Sequence, residues 1–266
     1  MRPSLRCALL LVATACAHAS RLPRGDAGEE TVHVGEAVFH LRYQPEDAAA
    51  AEQVKRALAR AVPAATRWGM LDASVQVTIH PTHEALEAAA QRPGEAWMRA
   101  WARYASVELQ SPRTWSSGRA SDEQMAQLLA HELTHCAMYQ AIATEATWRA
   151  APVPVWFKEG MASDAAGEDH PSAVQEVAGR LDDPPPGAAL RSGDERAIYA
   201  RAEMAFRFLV ERYGYEGVRS VMARMSEGRP FAEAFHEALG ISLQQFERDL
   251  RGVVVSDGPR APSRSG

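Results

Sequence analysis

The stretch Gln127–Tyr139, QLLAHELTHCAMY, constrains the fold more than any other part of the chain. Its apolar residues, with Met125 just before it, recur at helical spacing through Leu129, Leu133 and Cys136. That periodicity predicts a helix with a buried stripe, and Glu132 falls inside the apolar arc. A carboxylate in such a place is costly unless it is paired or functional. The helix also has a clean start. Ser121 is an N-cap, Asp122 and Glu123 occupy the first turn, and Gln124 completes a capping box. Residues four apart lie on one helix face with Cβ atoms about 6 Å apart. His131 and His135 can therefore bond one ion at about 2.0–2.1 Å per nitrogen. Glu132 points elsewhere, about 100° round per residue. It stands beside the ion's position without serving as a ligand, where a carboxylate can take a proton from metal-bound water.

A second segment completes the pattern. Val155–Ala162, VWFKEGMA, reads as the opening of another helix, with Pro152 and Pro154 just before it. Catalytic zinc takes three protein ligands and keeps one position open, and two His with one Glu is a standard set. Glu159 is the natural third ligand. Two other zinc patterns are excluded. The longer motif, with Gly and His following the second His, meets Met138 and Ala141 at those positions. The inverted order, HxxEH, is absent.

These two segments resemble the gluzincin metallopeptidases, specifically the bacterial peptidase MA-like proteins. The resemblance is carried by LAHELTH (129–135) and by PVWFKEGMA (154–162), which is similar to the W-x-x-E-G-x-A segment of that superfamily. It extends more loosely over roughly Tyr104–Leu250. It implies a zincin-like fold, one zinc per chain on His131, His135 and Glu159, Glu132 as general base, and a peptide or protein substrate. It implies an oxyanion donor from the helical part, for which Tyr199 is the first candidate and His170 the second. It implies an acid one turn after the third ligand, where this chain instead has Ser163, with Asp164 beside it. It also implies a sheet edge that pairs with substrate, which falls on Ser106–Gln110. The G-x-M-x-N segment of the aminopeptidase members is absent, which favours an endopeptidase. Two alternatives stand beside this reading. One is a non-catalytic envelope protein that keeps the scaffold for binding, disfavoured by the intact His131, Glu132, His135 and Glu159. The other is a zinc hydrolase that cleaves a non-peptide bond.

The remaining sequence sets the frame. Strand signals precede residue 112: a hairpin over Thr31–Tyr43 around Gly35-Glu36, a strand over Ser74–His80, and another over Ala100–Gln110. Helical signals cover Pro45–Trp68 and Thr82–Gln91, the latter capped by Thr82. After the motif helices they cover Pro171–Leu181, Ala197–Tyr213, Glu216–Met225, Phe231–Leu239 and Ser242–Leu250, with a rigid break at Asp183–Gly187. The fold class is α+β: a small N-terminal mixed sheet with the zinc-site helix packed on it, then a mainly helical part. One catalytic domain spans 31–251, with a strand-rich part at 31–112, the zinc-site helices at 113–181 and a helical part at 188–251. Residues 20–30 read as a tether and 252–266 as a disordered tail.

The first 19 residues read as a secretory signal, with Arg2 and Arg6 before the apolar run Cys7–Ala15. Cleavage falls near Ala13-Thr14-Ala15, or Cys16 becomes an acylated N-terminus; both stay open. Either way the mature protein is expected in the periplasm or cell envelope, touching a membrane only through a lipid on Cys16. Cys136 is then the one thiol of the folded part and reads as a small core residue. The net charge of −5, with its basic residues scattered, speaks against a nucleic-acid partner. No feature encodes the oligomeric state.

Overall fold

A computed structural model describes residues 27–115, 120–169 and 194–256. The signal segment, Cys16, His170, the helix expected over Pro171–Leu181 and the proline break lie outside the described residues.

Five strands form one mixed sheet. Strands β1 (Gly28–Val34) and β2 (Ala37–Tyr43) make an antiparallel hairpin. Its two-residue turn uses Gly35 at a φ of 58°, in the left-handed region that Gly enters without steric cost. Helix α1 (Ala48–Ala65) crosses over to β3 (Val75–His80), which lies parallel to β2. Helix α2 (His83–Ala90) follows, with Thr82 Oγ1 accepting from the Ala85 amide as its cap. Then come β4 (Ala100–Ala102) and β5 (Ser106–Gln110), antiparallel to each other. The spatial order is β1-β2-β3-β5-β4.

This order corrects two expectations. The stretch 100–110 is not one strand but two short ones. Ser106–Gln110 is not a sheet edge either: β5 is enclosed, parallel to β3 on one side and antiparallel to β4 on the other. The edge is β4. Arg99 accepts from the Gln110 amide and the Arg103 amide donates to Ser106. In an antiparallel pair the inward-bonded residues alternate, so the N–H and C=O groups of Ala100 and Ala102 turn outward.

Beyond the sheet the chain is helical: α3 (Asp122–Ile142), α4 (Val155–Ala166), α5 (Asp194–Ser226), α6 (Phe231–Leu239) and α7 (Leu243–Ser256). Helix α5 joins the two helices expected on either side of Gly214, which breaks the helical dihedrals with a φ of 65°. Helix α7 continues past Gly252, where the composition had suggested a structureless tail.

Two apolar clusters meet at α3. The first packs Phe39, Leu41, Val77 and Leu109 of the sheet against Val54 and Leu58 of α1, and Leu129, Leu133 and Cys136 of α3. The second is aromatic. Trp156, Phe157, Phe206, Phe231, Phe235 and Phe246 gather between α4, α5, α6 and α7, joined by Met138 and Ile142 from the end of α3. Trp156 stacks on Phe246 with ring centroids 5.3 Å apart. Each such aromatic buries roughly 150–250 Å², enough to hold the short helices in place. Helix α3 is therefore packed on more than one side rather than along one stripe, and Leu129 through Met138 are buried without interruption.

Candidate metal centre

The site is assembled from α3 and α4. The capping box predicted for α3 is formed: Ser121 Oγ accepts from the Gln124 amide at 3.1 Å, and Gln124 Oε1 accepts from the Ser121 amide at 2.9 Å. Arg56 of α1 meets Asp122, and Arg60 meets Glu123, so the first turn is fixed to α1. Two turns further on, His131 and His135 stack edge to face with ring centroids 4.9 Å apart.

Helix α4 brings Glu159 opposite them. Its Oε2 lies 3.3 Å from His131 Nε2 and 3.4 Å from His135 Nε2. Gly160 makes that approach possible. A Cβ on Gly160 would meet Ala202 O and Phe206 Cβ of α5 at 2.4 Å each. Glycine thus lets α4 and α5 touch backbone to backbone, and α5 in turn presents Tyr199 to the site. The Tyr199 ring is 6.1 Å from His131 and 6.1 Å from Trp97, centroid to centroid.

The donor set fits zinc. Among the described residues, His131, His135 and Glu159 form the one group of three metal-type donors, their ligand atoms within 4.8 Å of one another. Distances of 3.3 and 3.4 Å are long for hydrogen bonds. They do match the edge of a tetrahedron whose four bonds measure about 2.0–2.1 Å, which is about 3.3 Å. Two imidazoles, each that far from one carboxylate oxygen, are suited to a shared ion.

An acid does support His131, but from a different place than expected. Glu168 Oε2 lies 3.1 Å from His131 Nδ1 and accepts a 2.8 Å hydrogen bond from Ser163 Oγ. Asp164 instead pairs with Arg67 at 3.0 Å. Glu168 reaches the site because Gly167 ends α4 with a φ of 63° and folds the chain back; the Glu168 amide then donates to Ser163 O at 3.0 Å. His135 has no such support: its Nδ1 is buried without a partner among the described residues.

The electrostatics follow from burial. Glu132 is buried, and desolvation raises its pKa above the ordinary carboxylate value, although His131 and His135 work against that. Burial also acts on Glu159, but the two imidazoles and Lys158 outweigh it and hold its pKa well below normal. For His131, burial disfavours the cation, yet Glu168 and Glu159 prevail and raise its pKa well above the usual value. Tyr199 is pushed well above the ordinary phenol, first by burial and then by Glu159, Glu132 and Glu168. A bound cation would oppose the shifts of His131 and Glu132 and reinforce that of Glu159, because its charge favours neutral His and ionised carboxylates.

A cavity of about 300 Å³ opens onto these residues. Trp97, Trp101 and Tyr139 supply aromatic wall, Ala100 and Ala102 of the edge strand line one side, and Arg99 and Lys158 are its cations. Sequence reasoning had not singled out Lys158, Trp97 or Trp101.

No family model and no curated protein matches the chain. Among solved structures, it is similar to a two-domain M1 zinc metallopeptidase variant bound to L-arginine, with a TM-score of 0.41 and 14% identity over 89% of this chain and 53% of that one. It is also similar to an M1 zinc metallopeptidase variant from Deinococcus radiodurans, with a TM-score of 0.40 and 15% identity over 89% and 52%. The chain spans about half the length of each.

Proposed function

We propose that the protein is a zinc-dependent peptidase acting by water attack with Glu132 as general base. One observation carries this reading: His131, His135 and Glu159 bring three ligand atoms within 4.8 Å of one another, in the wall of a cavity that Glu132 also lines. Zinc held there supplies a Lewis acid and a water that ionises near neutral pH.

The chain's own residues do the rest. Glu132 lines the cavity beside the proposed ligands without being one of them, and as a carboxylate it accepts a proton from the attacking water and passes it to the leaving amine. Tyr199 stays protonated at neutral pH and donates toward the oxygen that gains charge on the carbonyl. Glu168 holds the His131 ring so that Nε2 faces Glu159. The outward N–H and C=O groups of Ala100 and Ala102 can bond an extended peptide as an added strand. An extended substrate running along β4 favours cleavage within a chain, hence an endopeptidase.

On the leading residues we place the mature protein outside the cytoplasm, in the periplasm or envelope, either free or anchored through Cys16. Among the described residues no helix is long and apolar enough to cross a membrane.

The test is zinc per chain by elemental analysis after dialysis in metal-free buffer, paired with digestion of a peptide library. About one zinc, as a three-ligand catalytic site requires, and cleavage that a chelator abolishes are expected. Folded protein that binds no zinc would overturn the reading.

A further inference from the structure

We infer that Lys158 recognises a carboxylate on the substrate, so that the enzyme selects peptides presenting one beside the scissile bond. The inference rests on the peptidase reading above and names the substrate class of that site.

Trp156 and Phe157 enter the aromatic core, while Lys158 and Glu159, next on α4, face the cavity. Lys158 is half-buried, with 23% of its side chain exposed. Burying a cation costs free energy that a neutral side chain of similar length would not. Its Nζ lies 3.5 Å from Glu159 Oε1. A tight charge-assisted bond is nearer to about 2.7–2.9 Å. Among the described residues this is its one ion pair, and an ammonium carries three donors. One such contact does not use all three donors, and Lys158 lines the cavity.

The acids nearby have other work. Glu159 Oε2 faces the two imidazoles, Glu168 is shared by His131 and Ser163, and Glu132 is reserved for proton transfer. Glu159 is thus the acid paired with Lys158, through Oε1, and it divides its charge between that ammonium and the two imidazoles. Trp97, Trp101 and Tyr139 line the same space, and an apolar wall lowers the local dielectric and strengthens a pairing made beside it. An incoming carboxylate would supply Lys158 with a second partner, one that the ions around Glu159 do not share. Since Lys158 adjoins the proposed ligand Glu159, that carboxylate lies close to the scissile bond. It is an Asp or Glu side chain, as cleavage within a chain requires, or a free C-terminus, which would move cleavage to the chain end and replace the endopeptidase reading.

The experiment uses the full chain with zinc and a library of amidated peptides, with products identified by mass spectrometry. A second library with free C-termini distinguishes the two sources. Enrichment of Asp and Glu over Asn and Gln at one position, by about tenfold or more, is expected if a side chain is read. Preference for the free-acid library is expected if the C-terminus is read. Lys158→Met should bring the acid-to-amide ratio to about one, and Lys158→Arg, which keeps the charge, should preserve most of it. A binding readout stands apart from turnover. Fluorescence titration of the Glu132→Gln protein with a glutamyl peptide and its glutaminyl analogue should give the same ratio, lost when Lys158→Met is added. Wild-type cleavage without acid preference overturns the inference. So does a Lys158→Met protein that cleaves all peptides more slowly at an unchanged ratio and holds zinc more weakly, since Lys158 would then only position Glu159. Zinc-loaded wild type that cleaves no peptide removes the peptidase reading itself.

Discussion

Glu168 stands 3.1 Å from the Nδ1 of His131, in a turn that follows the helix of the third ligand. Carboxylates behind metal-binding imidazoles fix the ring and raise its basicity, and losing one typically weakens metal affinity by about 10–100-fold. Glu168→Gln should therefore weaken zinc binding by about that factor, read by competition with a chromogenic chelator. Ser163→Ala, which removes one hydrogen bond to Glu168, should have a smaller effect in the same direction. Unchanged affinity in Glu168→Gln would mean that the turn does not tune the metal.

Glu132→Gln should keep about one zinc and a near wild-type melting temperature, because the amide fills the same space in the interior of α3. Turnover should fall by about 10²–10⁴-fold, the usual contribution of a positioned base. Activity within a few-fold of wild type would remove Glu132 from the chemistry.

Tyr199→Phe keeps the ring that packs near Trp97 and His131 and deletes only the hydroxyl. Zinc content should not change. Loss of one oxyanion donor costs on the order of 10² in kcat, measured on any peptide the library yields. Full activity would reassign the role to another group.

Gly160→Ala places a methyl where Ala202 O and Phe206 Cβ already stand. Overpacking against backbone is expected to cost roughly 1–3 kcal/mol and to lower the Tm by several degrees. Because α5 must retreat, kcat should drop along with stability. A variant as stable as wild type would show that α4 and α5 are less tightly apposed.

Stability of the metal-free protein should depend on pH with a predictable sign. His131 has a folded pKa raised above its ordinary 6.5, so its contribution is complete below 6.5 and is lost as pH climbs through the raised value. Glu159 is depressed below its ordinary 4.5, so its contribution is present above 4.5 and fades in acid. Glu132, raised by burial, adds a penalty as pH rises above 4.5. Metal-free protein should thus lose stability on going from about pH 6.5 into the alkaline range. Zinc requires neutral imidazoles, so the rise in Tm on adding zinc should grow over the same range. Scanning fluorimetry with and without zinc checks both, and a zinc-induced rise that shrinks with pH would contradict the ligand assignment.

What the sequence disclosed was local. The cap at Ser121, the four-residue spacing of His131 and His135 and the proline-bounded start of α4 depend on neighbours in the chain, and each can be read there. Glu168 escaped because its approach to His131 depends on the left-handed turn at Gly167; a glycine closing α4 with an acid beside it was the available clue. The sheet edge escaped for a related reason. Arg103-Tyr104-Ala105 carries no Gly or Pro, so the bend between β4 and β5 left no mark, and strand order is a long-range property. Lys158 gave no signal because a single cation before Glu159 reads equally well as a solvated side chain.

Helix α3 has a consequence for genetics. From Leu129 to Met138 every side chain is enclosed, so bulky or polar replacements should fail at Ala130 or Ala137 as readily as at His131. A saturation screen scored by survival or activity would return a uniform band of intolerance and could not separate metal ligands from spacers. Only near-isosteric exchanges, read by metal content rather than by growth, will resolve chemistry from packing along this helix.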